Sequence, residues 1–133
     1  MERREFHAED AKGIVVLEPV ELEKFARVHE KMKPNMVFIH HNKIVAAGGL
    51  AIVIPGVAEG WVSFTKDCPI RGFVEVKRQM YEWIEEYSLR RVQAIVNADW
   101  EEGNRFARWL GMSFEGRLKK MMPNGDSNIW AVT

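Results

Sequence analysis

Three groups of side chains in this sequence have residue types suited to chemistry: His40-His41, Cys68, and the basic pairs Arg90-Arg91 and Lys119-Lys120. Adjacent histidines invite a metal ion. Neighbouring strand side chains point to opposite faces, however, and no cysteine or carboxylate cluster joins them. They read as flanking a turn, and no metal is expected. Cys68 stands just before a helix start, a place that can lower a thiol's pKa and arm it as a nucleophile. No base accompanies it, so the expectation is an inert, half-buried thiol. The basic pairs read as solvated strand ends rather than phosphate contacts, because 19 Lys and Arg balance 19 Asp and Glu. That balance gives no global field to attract nucleic acid or an anionic membrane.

The richest stretch for positioning such groups is Arg91 to Leu118. Val92, Ala94, Ile95 and Val96 form a short apolar run suited to a strand buried on both faces. Asp99 reads as the N-cap of a helix, with Glu102 completing a capping box. Phe106, Ala107 and Leu110 share one helical face, and Gly111 can close the helix in the left-handed region. SFEGRLKKM then alternates like a strand with one wet face.

Upstream, residues 3 to 6 suit a short opening strand. Ile14 to Leu17 look like a strand by composition, while HAEDAK looks like a helix start. Pro19 opens a helix with Leu22, Phe25, Ala26 and Met32 as its apolar stripe, and Pro34 stops it. NMVFIHHNKIVAAGGLAIVIP reads as two antiparallel strands around His41-Asn42, with the next turn at Pro55-Gly56. EGWVSFT is the third strand. The longest helix runs from about Pro69 to Ser88, with Ile70, Phe73, Val74, Tyr81, Ile84 and Tyr87 expected along its buried side. Pro123 to Asp126 makes a tight turn into NIWAV. The five tryptophans read mostly as packing residues, with Trp100 partly exposed at a helix start.

A chain of 133 residues with 47% hydrophobic content is expected to fold as one domain, residues 1–133. One cysteine excludes an internal disulfide framework and suits a reducing compartment. No apolar run approaches the roughly 20 residues that span a bilayer, and MERRE is no signal peptide. A soluble cytoplasmic protein is expected, with neither membrane nor nucleic acid as partner.

The order of elements, Ala8-Glu9-Asp10, the helix ending in Leu110-Gly111-Met112, and Phe114 to Leu118 together resemble the GCN5-related N-acetyltransferase superfamily over essentially the full length. PGVAEGW, RRVQAIV, LGMSFEGRLKK and PNGDSNIWAV more narrowly resemble a phage and prophage group of that fold. The resemblance implies a mixed α/β sheet of six or seven strands with helices on both faces. Two strands, EGWVSFT and RVQAIV, would pair in parallel and splay apart to admit acyl-CoA.

By the same resemblance, acetyl-CoA or another acyl-CoA would rest its phosphates on backbone from Ile70 through Arg71, Gly72 and Phe73 to Val74. Phe64 and Thr65 would line the pantetheine edge, and Asn97 and Asn104 would offer polar contacts near the splay. Glu59 sits where some members carry the base, beside the plainer reading of a solvated hairpin carboxylate. Two positions depart from the family pattern. Val74 and Val76 replace small residues of the phosphate loop, and Ala107 stands where a tyrosine acid is often found. The activity implied is acyl transfer to an unidentified amine. The rival is an inactive protein of this fold used for interaction, with virion components among its partners. Strand edges and the C-terminal hairpin offer a route to a homodimer.

Overall fold

Two neighbouring strands that pair in parallel for only three rungs organise this molecule. In the computed structural model, which describes residues 1–14 and 19–133, a seven-stranded sheet runs in the order β1-β2-β3-β4-β5-β7-β6. The elements are β1 (Glu2–Arg4), a 3-10 helix (Ala8–Gly13), α1 (Pro19–Lys31), β2 (Asn35–His40), β3 (Lys43–Ile54), β4 (Val57–Phe64), α2 (Ile70–Glu86), β5 (Arg91–Asn97), α3 (Glu101–Trp109), β6 (Ser113–Met122) and β7 (Gly125–Val132). Among the described residues only β4 and β5 are parallel neighbours, because α2 carries the chain between them; the other pairings are antiparallel. Among the described residues no helix is long and apolar enough to cross a membrane.

Helices cover both faces. On one, Phe6, Ala11 and Ile14 in and around the 3-10 helix and Ala26 of α1 pack against Val37 and Ala47. On the other, α2 and α3 place Met80, Trp83, Ala107 and Leu110 over Leu50, Ala58, Val92 and Trp130. Polar clamps join the layers. Asn35 Oδ1 accepts from the Phe6 N–H, and its Nδ2 donates toward the carbonyls of His29, Glu30 and Met32. It thereby helps satisfy the carbonyls at and just past the C-terminus of α1.

Several expectations change. The supposed strand at 14–17 lies outside the described residues except for Ile14, which follows the 3-10 helix. Helix α3 starts at Glu101 with Trp100 as N-cap and no side-chain cap bond, so Asp99 does not cap it. The buried side of α2 is Gly72, Glu75, Val76, Gln79, Met80 and Trp83, whereas Ile70, Val74, Tyr81 and Tyr87 are exposed. The stripe Val76, Met80 and Trp83 faces the core, and beside it Arg3 of β1 lies 3.7 Å from the Glu75 carboxylate and donates to Gln79 at 2.7 Å. Partnered this way, a carboxylate and an amide can be buried without the full desolvation penalty. Strand β5 is half-buried rather than buried on both faces, and only Val92 is fully covered. β6 is a mostly exposed edge strand.

Candidate active site at the parting of two strands

The parallel rungs are Val57 with Arg91, Ala58 with Val92 and Glu59 with Gln93. Beyond Glu59, β4 continues to Phe64 paired only with β3, and β5 continues to Asn97 paired only with β7. The facing inner edges of Gly60–Phe64 and Ala94–Asn97 therefore carry backbone polar groups with no ladder partner. An extended chain bearing amides could pair with such an edge.

Glu59 occupies the last rung. Ala58 packs beneath α2, and Trp61 packs against Phe25 and His29 of α1. Strand alternation thus puts Glu59 on the α1 face beside Trp61. His29 donates from Nδ1 to the Phe25 carbonyl, and burial holds its pKa below the ordinary value, so a neutral ring faces Trp61. The Trp61 indole N–H is buried with no acceptor among the described residues. On the same face, Arg91 donates from Nε to Gln93 at 2.9 Å and grips Glu115 through both terminal nitrogens. That hydrogen bonding holds the Glu115 carboxyl below its usual range. Arg90 binds the Pro55 carbonyl at the hairpin tip. Neither arginine of the pair is the idle strand end that was expected. Their partners lie 35 and 24 residues away, a relation invisible before the strands are ordered.

On the opposite face Phe64 meets Phe73 of α2 at 4.3 Å and Phe106 of α3 at 5.0 Å between ring centroids. This cluster forms the apolar floor where the strands part. Phe106 was legible only as a core-facing helix residue; its place at the splay comes from the crossing of two helices. Thr65 turns away. Both its N–H and its hydroxyl donate to the Val45 carbonyl, tying the end of β4 to β3.

At the start of α2 the Gly72 N–H is already bonded to the Pro69 carbonyl. The Ile70 and Arg71 N–H groups have no acceptor among the described residues. No acid lies in the first turn. Glu75 turns inward to Arg3 and Arg78, so its charge does not face this end. Val76 packs in the core with Phe38 and Val45. Of the two valines, only Val74 is exposed beside the helix start. Gly72 is small for a different reason than phosphate approach: a Cβ there would fall 2.4 Å from Cys68 Sγ. Burial pushes the Cys68 thiol up to about 11, which makes it inert as expected. The His40 and His41 rings lie 4.0 Å apart rather than on opposite faces, since His41 has φ 51° and leaves the strand geometry. Burial, His41 and the Arg71 charge together lower the His40 pKa. That corner is electropositive and suits an anion. Among the described residues no cluster of three or more His, Cys, Asp or Glu could hold a metal.

Asn104 is structural. Its Oδ1 accepts from Asn128 and from the Trp130 indole, and its Nδ2 donates to the Asn97 and Trp100 carbonyls. No bonding capacity is left for a ligand. Asn97 ends β5 with an exposed side chain. Ala107 is buried, so no acid stands at that position. The splay thus offers a strand edge, an aromatic floor and a helix start, while the Thr65 hydroxyl and the Asn104 amide are engaged in bonds within the fold.

Solved structures share this architecture. A GNAT-family acetyltransferase from Bacillus anthracis superposes with a TM-score of 0.76 at 18% identity, covering 98% of this chain and 92% of that one. A variant of spermidine N-acetyltransferase from Vibrio cholerae gives 0.75 at 13% identity, covering 99% and 94%. The ribosomal-protein-S5-alanine acetyltransferase from Vibrio fischeri gives 0.74 at 13%, covering 98% and 91%. No family model and no curated protein matches the chain. The fold is that of the GNAT acetyltransferases. None of these similarities bears on the phage-like branch expected from sequence.

Proposed function

We propose that this protein transfers an acetyl or similar acyl group from acyl-CoA to an amine. The observation that carries the reading is the parting of β4 and β5 after three rungs, with Glu59 on the last of them. The bound thioester supplies an activated acyl carbon. Backbone of Gly60–Phe64 would hold the pantetheine amides, and the Ile70 and Arg71 N–H groups with the Arg71 charge would hold the phosphates. Glu59 takes a proton from the acceptor ammonium, which must be neutral to attack. Trp61 walls that side against water. No side chain at position 107 can return a proton to the departing thiolate, so water takes that part. The acceptor amine reaches Glu59 from the α1 face.

The test is the melting temperature with and without millimolar acetyl-CoA, paired with thiol release over a panel of amines. A ligand selective for the native state raises the midpoint by mass action. A raised midpoint with thiol release supports the reading; neither change sinks it. A raised midpoint without release would favour the rival reading of a silent, CoA-binding interaction protein, which the buried Ala107 supports.

A further inference from the structure

A cavity of about 560 Å³ lies away from the splay, on the other flank of α3, between that helix and strands β6 and β7. Its size is that of a small-molecule site, typically 300–1,000 Å³. Glu101, Arg105 and Arg108 form its helical wall, spaced to lie on one face. Neither guanidinium makes an ion pair or hydrogen bond with another described residue. Arg108 instead lies over the Trp130 ring, 5.6 Å from its centroid. Phe114 meets that ring edge-on at 5.6 Å and is itself 54% exposed, leaving apolar surface at the mouth of the cavity.

The floor is pre-organised. Asn104 locks both the Trp130 indole N–H and the Asn128 amide nitrogen, and the side-chain oxygen of Asn128, a residue of the cavity lining, has no donor among the described residues. Two unpaired guanidiniums call for an anionic group, with one carboxylate against them. The exposed Phe114 edge calls for a flat ring, and the Asn128 oxygen with Glu101 calls for ring N–H donors. We infer that this groove binds a small planar anion, a ring carrying N–H donors joined to a phosphate or carboxylate. Nucleoside monophosphates and heteroaromatic carboxylates share that chemistry. The inference does not depend on acyl transfer, because Asn104, the one lining residue expected near the splay, has its side chain fully engaged in the floor of the groove.

The experiment follows the Trp130 indole resonance of nitrogen-labelled protein, assigned by Trp130→Phe, during titration with AMP, indole-3-acetate, adenosine and inorganic phosphate. A saturable shift with AMP or indole-3-acetate supports the site and identifies the phosphate or carboxylate source. Adenosine and phosphate alone should bind about tenfold more weakly or less, since each lacks half of the recognition. Arg105→Glu with Arg108→Glu should weaken binding of the planar anion by about tenfold or more with native spectral dispersion retained. Phe114→Ser, at an exposed position, should lower affinity for ring-bearing ligands only. No shift at millimolar ligand overturns the inference. Equal binding of phosphate alone also overturns it, as an adventitious ion only.

Discussion

The Tyr81 hydroxyl of α2 donates a 2.7 Å hydrogen bond to the Leu110 carbonyl at the end of α3. Lys77, one turn earlier, donates to the Trp109 carbonyl at 2.9 Å while lying over the Trp109 ring. Two side chains of one helix thus satisfy carbonyls that the other helix leaves free at its C-terminus. The geometry leaves no room beneath. Gly111, with φ 96°, would place a Cβ 2.4 Å from the Tyr81 oxygen.

Gly111→Ala should therefore destabilise by about 2 kcal/mol or more, from the left-handed backbone and the clash together. Tyr81→Phe alone should cost about 1 kcal/mol for the lost bond. The two are in contact, so the double variant should be less destabilised than their sum. Urea midpoints of the four proteins check this, and simple additivity would show that the clash is not felt.

Asn104→Ala removes four hydrogen bonds and strands the buried Trp130 indole N–H. A loss of roughly 3 kcal/mol is expected, because an unpaired buried donor costs more than a bond's net worth. Asn104→Asp keeps the acceptor and loses the donors, so it should fall between. A cost below that of an ordinary surface substitution would contradict the clamp.

Glu59→Gln should lower kcat/KM for acyl transfer by about a hundredfold, the usual scale of one general base, while the acetyl-CoA midpoint shift stays unchanged. Loss of both would place Glu59 in binding or folding instead of proton transfer.

Cys68 labelling by a thiol reagent should be slow at neutral pH. Burial raises the pKa to about 11, so the reactive thiolate should increase roughly tenfold per pH unit up to that value. A labelling rate that levels off near pH 8 would show an exposed thiol. Gly72→Ala pushes against the same sulfur and should cost about 1–3 kcal/mol as overpacking.

Acid should loosen the N-terminal segment. Burial alone would raise the Asp10 pKa, but the Arg4 hydrogen bonds and the His7 N–H outweigh it and hold it below the ordinary value. A depressed carboxyl adds stability that is full above its unfolded pKa of about 3.9 and fades as pH falls through the folded value. Asp10→Asn should remove that part of the acid dependence, read as a flatter midpoint-against-pH curve below about pH 4.

How much of this was legible beforehand follows from the range of the forces. Turn chemistry is local: His41-Asn42, Pro55-Gly56 and Gly111 were readable because each position's backbone demand selects its residue type. The succession of strands and helices was readable for the same reason, through apolar periodicity, and with it the parallel pairing that a helical crossover requires. The rotation of α2 was not. Its apolar residues divide between two faces, and only packing on the sheet selected Val76, Met80 and Trp83 for the core, with Arg3 of the edge strand partnering Glu75 and Gln79 beside them. Asn104 has the same polar type whether it serves a ligand or a clamp, and only the arrival of Trp130 and Asn128 from 26 and 24 residues away decided which. Arg91 likewise became half of a cross-strand ion pair once β7 had inserted between β5 and β6. Sequence alone determined which elements form and in what order, since backbone preference and periodicity act within a few residues. Tertiary structure decided which side chains meet where β4 and β5 part, because burial and hydrogen bonding depend on partners that chain distance does not reveal.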